Sequence, residues 1–240
     1  MAVNVTWDNA ATVRSLEAAI VDLDGTMVDT VGDFTEAINY TLSDLQMPLL
    51  DAEDVVHMVG KGTEHLLRSA LHLVLRNVGH PQEGLDDAVE GLFPLALQRY
   101  MHHYVLINGK HSQIYDGVLA GLQALKAAGL RLACVTNKPL AFTTPLLAAK
   151  GLEGLFDVVF GGDSFARKKP DPLPLLKACE ALGVEATKTL MIGDSSNDAQ
   201  AGRAAGCAVV LVSYGYNHGL PVQTVDADGV VDSLLALRAV

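Results

Sequence analysis

The stretch Ala18-Ala19-Ile20-Val21-Asp22-Leu23-Asp24-Gly25-Thr26 decides how this chain is read. Its first four residues form an apolar run with the length of a short buried strand. Two carboxylates follow directly, two residues apart. Side chains alternate along extended backbone, so Asp22 and Asp24 point to the same side of the strand terminus. Gly25 lets the chain turn where a Cβ would clash. Two acids in one crevice can bind a divalent cation, or divide nucleophilic and acid/base work between them.

Outward from this point, the chain divides into two characters. Between about residues 29 and 111 the pattern is helical, with no convincing strand. Asp29 and Thr30 suit the N-cap of a helix through Phe34, Ala37, Ile38 and Leu42. Pro48 breaks the chain. Val55, Val56 and Val59 predict a short helix, ended by Gly60-Lys61-Gly62. Leu67, Leu71, Val74 and Val78 make one apolar helical face. His80 to Gly84 reads as a loop. A long helix follows from about Leu85 to Leu106, with a kink expected at Pro94.

After about residue 112, short apolar strands alternate with helices. The strands are Leu130 to Val135, Asp157 to Phe160, Thr189 to Ile192 and Ala208 to Val212. Helices are expected over Leu119 to Ala128, after Pro139, after Pro172 and over Ala199 to Ala205. This alternation implies an α/β fold: a doubly wound, Rossmann-like parallel sheet covered on both faces. Residues 1–28 and 112–240 would form that core. Residues 29–111 would form an inserted all-helical cap. The first fifteen residues carry few packing signals, and Trp7 is the one among them suited to docking.

Composition sets outer limits. The 240 residues are 50% hydrophobic, with a formal net charge of −11. A sizeable core is available, and no basic stripe offers a nucleic-acid footprint. No uninterrupted apolar run approaches a membrane span, and Met1 to Ala10 lacks the regions of a signal peptide. Cys134, Cys179 and Cys207 form no CxxC and cannot all pair. A reducing cytoplasm is the simplest setting.

In doubly wound sheets, ligands bind beyond the carboxyl ends of the strands. The polar residues collect there. Strand ends are followed by Asp22 and Asp24, by Thr136-Asn137-Lys138, by Gly161-Gly162-Asp163 leading to Lys168-Lys169-Pro170, and by Gly193-Asp194-Ser195-Ser196-Asn197-Asp198. Four segments thus converge on one crevice.

This set resembles the haloacid dehalogenase-like hydrolases over almost the whole chain. Asp22 to Thr26 matches that family's DxDGT, Thr136 its strand-ending Thr or Ser, Lys169 its Lys before Pro, and Gly193 to Asp198 its GDxxxD. The resemblance implies a phosphomonoesterase acting through an aspartyl-phosphate, with Mg²⁺ as cofactor and a small phosphorylated substrate. Asp22 would be the nucleophile, and Asp24 the acid and base. Thr136 and Lys169 would hold phosphoryl oxygens, with Asn137 beside them. The Mg²⁺ ligands would be an Asp22 carboxylate oxygen, the Asp24 backbone carbonyl and the Asp194 carboxylate. Asp198 would support that site from behind. Free N–H groups after Pro139 would add to the phosphate site.

The strings from Val135 to Pro139, Lys168 to Leu175, and Tyr214 to Asn217 are similar to those of the bacterial phosphoglycolate phosphatases within this family. That similarity implies 2-phosphoglycolate as substrate, with Lys61 in the cap loop as a candidate for its carboxylate. A phosphatase of another small ester, a sugar phosphomutase and a phospho-accepting signalling domain are the other readings. Asp29 reads first as a helix cap. Asp163 either pairs with Lys169 or is a plain loop aspartate. His65, His72, His102 and His103 lack nearby carboxylates of ligand spacing.

Overall fold

Six parallel strands carry the crevice. In the computed structural model, residues 2–7 and 14–239 are described. In chain order, the elements begin with β1 (Val3–Thr6), β2 (Arg14–Leu16), β3 (Ala18–Val21) and β4 (Val28–Asp29). Four helices follow: α1 (Val31–Asp44), α2 (Ala52–Val56), α3 (Thr63–Asn77) and α4 (Leu85–Ile107). Then come β5 (Gln113–Ile114), α5 (Val118–Ala127), β6 (Arg131–Val135), α6 (Leu140–Ala149), β7 (Val158–Phe160) and α7 (Leu173–Leu182). The chain closes with β8 (Thr189–Gly193), α8 (Ser196–Ala205), β9 (Ala208–Val212), β10 (Gly229–Val231) and β11 (Arg238–Ala239).

The main sheet has the order β10-β9-β8-β3-β6-β7, and every pairing in it is parallel. The central strand β3 is buried on both faces, which is why its sequence is uniformly apolar. Its alternate residues feed two separate cores. Ala19 and Val21 pack with Leu132, Cys134 and Ile192 on one face. Ala18 and Ile20 pack with Ala133, Val135 and Met191 on the other.

The helices α1 to α4 gather around a third apolar cluster, which includes Leu42, Leu67, Leu71, Val89 and Tyr104. The two chain crossings into and out of this helical segment lie side by side. There β4 and β5 pair antiparallel, Val28 opposite Ile114 and Asp29 opposite Gln113. Asp33, wholly buried in the first turn of α1, accepts the backbone N–H groups of Gly109 and His111, both at 2.7 Å. One carboxylate therefore closes the base of the helical segment, where its first and last residues meet.

Several expectations need revision. The N-terminal segment, which carries few packing signals in sequence, is packed in its described part. β1 joins β2 and β11 in a three-stranded antiparallel sheet. Trp7 is buried, and its indole N–H donates to the Asp228 carbonyl at 3.2 Å. Val78 is exposed at the end of α3, whereas Leu66, Ala70 and Leu75 complete that helix's buried face. Two other expectations hold: α1 ends at Asp44, before Pro48, and one long helix, α4, runs from Leu85 to Ile107 with Pro94 inside it.

The Asp33 staple generates a stability prediction. Hydrogen bonds to a charged acceptor contribute about 1.5–3 kcal/mol, and their loss leaves buried N–H groups unpaired. Asp33→Ala should therefore lower unfolding free energy by at least about 2 kcal/mol. Chemical denaturation of the two proteins checks it, and an unchanged midpoint would contradict the staple.

Candidate active site

The Asp22 to Thr26 segment turns back on itself immediately after β3. The Leu23 carbonyl accepts the N–H groups of Met27 at 2.9 Å and Val28 at 3.0 Å. Gly25 sits at φ +85°, and a Cβ there would meet Asp194 Oδ2 at 2.5 Å. Only glycine suits both the backbone and the crowding. Asp22 and Asp24 line the same cavity, as the two-residue spacing requires.

Four carboxylates are buried here: Asp22, Asp24, Asp194 and Asp198. Asp22 and Asp24 follow β3, Asp194 follows β8 and Asp198 lies in the first turn of α8; two lysines compensate them. Lys169 Nζ lies 2.7 Å from Asp198 Oδ1, 2.8 Å from Asp22 Oδ1 and 2.7 Å from the Val135 carbonyl. It thus donates two hydrogen bonds, to Val135 and Asp198, and makes a close ion pair with Asp22, whose Oδ1 accepts no hydrogen bond. Lys138 Nζ donates to Asp24 Oδ1 at 3.0 Å and to the Tyr104 hydroxyl at 2.6 Å. Two ammonium groups against four carboxylates leave an excess of two negative charges.

That excess is reflected in proton affinity. Burial pushes the Asp22 carboxyl up to about 7; Lys169 pulls the other way, while Asp198 and Asp24 add to the rise. Asp194 is also well above the ordinary carboxylate range, through burial and the charges of Asp198 and Asp22. Burial alone would lower the Lys169 ammonium, but Asp198 and Asp22 overcome it and hold it above its ordinary value.

Oxygens of Asp22, Asp194 and Asp198 all lie within 4.8 Å of one another, the one such grouping among the described residues. An all-oxygen donor set with two surplus negative charges suits a hard divalent cation. The three carboxylates are not equivalent, however. Asp198 Oδ1 takes Lys169, and Oδ2 takes the Asp194 N–H, the Ser195 N–H and the Ser195 hydroxyl. It is saturated by protein donors and forms the capping box of α8. Asp194 accepts from the Thr26 hydroxyl at 3.2 Å and the Tyr216 N–H at 2.7 Å. Asp22 and Asp194 are therefore the carboxylates with capacity for a cation, and Asp198 positions them.

Thr136 and Asn137 line the cavity beside Asp22. Asn137 also grips the helical segment: its side-chain N–H₂ donates to the Gly60 carbonyl at 3.0 Å and the Lys169 carbonyl at 2.9 Å. Asn197 donates to the same Gly60 carbonyl at 3.2 Å. Two amides thus hold the Gly60 loop down on the sheet. Lys61, by contrast, is exposed and does not line the cavity. Its charge is felt by His65 and His218, whose pKa values fall through burial and through Lys61.

Asp163 does not pair with Lys169. Its carboxylate accepts the Leu140 N–H at 2.8 Å, which caps the start of α6. That N–H, after Pro139, is consequently not free for a phosphate. Asp29 Oδ1 accepts the Val31 N–H at 3.2 Å, as a cap would, and also the Tyr216 hydroxyl at 2.8 Å. His72 and His103 pair with Asp86 and Asp44 instead of gathering into a ligand set.

Lys138 and Tyr104 carried no assignment in the sequence reading. Lys138 had a usable signal: it stands two residues after Thr136, the same spacing that links Asp22 and Asp24. Tyr104 had none, because it lies in the last turn of a long helix whose facing cannot be told from periodicity alone.

A model of the haloacid dehalogenase-like hydrolases matches residues 16–206. The chain belongs to that family. Phosphoglycolate phosphatase from Thiobacillus denitrificans is 43% identical over 91% of this chain and 92% of its own. The phosphoglycolate phosphatase of Nitrosospira multiformis is 44% identical over the same shares. Among solved structures, a predicted phosphoglycolate phosphatase from Haemophilus somnus superimposes with a TM-score of 0.83. It is 32% identical, with 91% of this chain and 95% of that one covered.

The raised carboxylates generate a prediction with a definite sign. A carboxyl whose folded pKa lies above its unfolded value stabilises the fold fully below the unfolded value, about 3.8. That contribution is lost as pH rises through the folded value, about 7 for Asp22. With a chelator present, the Asp22–Asp194 site should thus weaken the fold progressively between about pH 4 and pH 8. A saturating divalent cation should raise Tm more at pH 8 than at pH 5. Thermal unfolding across that range measures both, and an equal cation effect at the two pH values would contradict the site.

Proposed function

We propose that this protein is a cytoplasmic, Mg²⁺-dependent phosphatase whose substrate is 2-phosphoglycolate, with residues 29–111 as its cap. The observation that carries this reading is the arrangement of Asp22 and Asp24. They share one cavity, with Lys169 on the first and the Asp194 carboxylate alongside. The names of the relatives above support the substrate. Their phosphatase activity favours water as the final acceptor over transfer to a sugar. Three buried, unpaired cysteines fit a reducing compartment. Among the described residues, no helix is long and apolar enough to cross a membrane.

Each residue has a task in this reading. Asp22 attacks phosphorus in line, forming an O–P bond while the ester P–O bond breaks. The Asp24 carboxyl gives its proton to the departing alkoxide. Water then attacks the aspartyl-phosphate, Asp24 takes its proton, and the Asp22–phosphorus bond breaks to release phosphate. Thr136 donates to one phosphoryl oxygen, and Lys169 neutralises charge on another. Asp22, the Asp24 carbonyl and Asp194 would hold Mg²⁺, which when bound would supply further charge neutralisation at the phosphoryl group. Asp198 fixes Lys169 and the loop bearing Asp194.

The cap must open for this cycle. With the Gly60 loop held down, the cavity over Asp22 and Asp24 is walled by Phe34, Val59, Gly60 and Leu66 of the helical segment. Release of Gly60 by Asn137 and Asn197 would admit substrate, and their return would limit water.

Phosphate release from 2-phosphoglycolate, with Mg²⁺ and with excess chelator, tests the reading. Asp22→Asn should retain the fold and lose at least about 99% of turnover, since covalent catalysis carries most of the acceleration. Residual activity above that level, or undiminished hydrolysis in chelator, would sink it.

A further inference from the structure

Lys138 has no task in the phosphoryl chemistry above, yet it is buried and lines the cavity. It differs from Lys169 in one respect. Lys169 Nζ has three close oxygens around it, the Val135 carbonyl and Asp198 Oδ1 as hydrogen-bond acceptors and Asp22 Oδ1 as an ion-pair partner. Lys138 has two acceptors, Asp24 Oδ1 and the Tyr104 hydroxyl. Its remaining side faces aromatic rings, with Nζ 4.3 Å from the Phe34 centroid and 4.9 Å from that of Tyr104. Rings attract a cation but do not satisfy an N–H as an anion would. One charge-assisted donor is therefore available.

Tyr104 offers a second donor. Its hydroxyl oxygen accepts from Lys138, so its own proton must point elsewhere. No protein acceptor for that proton is found among the described residues. Burial, helped by Tyr100 and Asp24, keeps the phenol far from ionising, so the proton stays in place. The two donor atoms are 2.6 Å apart, close to the separation of the two oxygens within one carboxylate. Lys138 comes from the sheet and Tyr104 from α4, so an anion bound to both would bridge core and helical segment.

We propose that Lys138 and Tyr104 are the specificity-determining pair that receives the substrate's carboxylate. The proposal rests on the reading of this protein as a 2-phosphoglycolate phosphatase. It moves carboxylate recognition from the exposed Lys61 to a buried cation in the cavity wall. Burial matters because a charge pair screened from water discriminates between an anionic and a neutral tail more sharply than an exposed one. Substrates with a neutral tail would leave the Lys138 donor unmatched and the bridge to α4 unmade.

Binding of two non-hydrolysable phosphonates, measured by calorimetry with saturating Mg²⁺, tests this. 3-Phosphonopropionate carries the carboxylate at the position it has in 2-phosphoglycolate, and propylphosphonate lacks it. Wild type should prefer the carboxylate compound by about 10- to 100-fold, the range of a hydrogen bond to a charged group. Lys138→Met keeps the side chain's bulk without its charge and should abolish most of that preference. Tyr104→Phe, a milder change, should reduce it and serves if Lys138→Met does not fold. Equal weakening of both phosphonates in these variants would mean that Lys138 only supports Asp24, and would overturn the proposal. So would an undiminished preference, or loss of the preference in Lys61→Ala alone. A wild type that hydrolyses phosphomonoesters but binds both phosphonates equally would overturn this inference and leave the phosphatase reading standing. A wild type that releases phosphate from no phosphomonoester would overturn both.

Discussion

The site depends on one buried ammonium. Lys169 Nζ touches the residue after β3, the last carbonyl of β6 and the first turn of α8 at once. Without it, Asp22 and Asp198 would face each other in a low-dielectric interior, and like charges there repel strongly. Burying such a pair is costly, and breaking it by removing one partner costs more than never having formed it. The fold carries that cost because the sheet is apolar on both faces immediately beneath. Ile20, Val21, Val135 and Ile192 are all essentially inaccessible to water. The strain of crowded acids is thus concentrated at the strand ends, where a cation and a phosphoryl group can relieve it.

The same residues that shape the chemistry also hold the helical segment. Tyr216 shows this directly. Its backbone N–H holds Asp194 Oδ2, and its hydroxyl accepts the Thr30 N–H at 2.7 Å while donating to Asp29. A single residue therefore connects a candidate cation ligand to the point where the chain crosses into α1. Asn137 does likewise on the opposite side, between the Lys169 carbonyl and the Gly60 loop. Gly215 leaves no room for a Cβ beside Asp194, so the loop carrying Tyr216 must approach as bare backbone. Cap position and site geometry are consequently not independent variables in this protein. A change that loosens Gly60 or the β4–β5 crossing is felt at Asp194 and Lys169 through one or two hydrogen bonds.

What the sequence disclosed, it disclosed through local rules. Asp22 and Asp24 were paired by a spacing of two, and the structure places both in one cavity. The main strands were legible because parallel strands buried on both faces are short continuous apolar runs. β10 was missed: its three residues sit at the sheet edge with only partial burial, so the apolar signal is weak. β1, β2 and β11 were missed for a related reason. They are two to four residues long, and β1 pairs with β11 across the whole length of the chain. The capping role of Asp163, left open between a Lys169 partner and a loop aspartate, was not legible because the Leu140 N–H lies 23 residues away at the start of α6. The Lys138–Tyr104 bond joins residues 34 apart, one on a strand end and one on a helix of the inserted segment. No periodicity links such residues; only the packing of α4 over the strand ends does. Local pattern therefore locates the acids that any phosphoryl-transfer site of this architecture would need. The groups that choose among substrates are brought together by tertiary packing, which is why they became visible only in the folded chain.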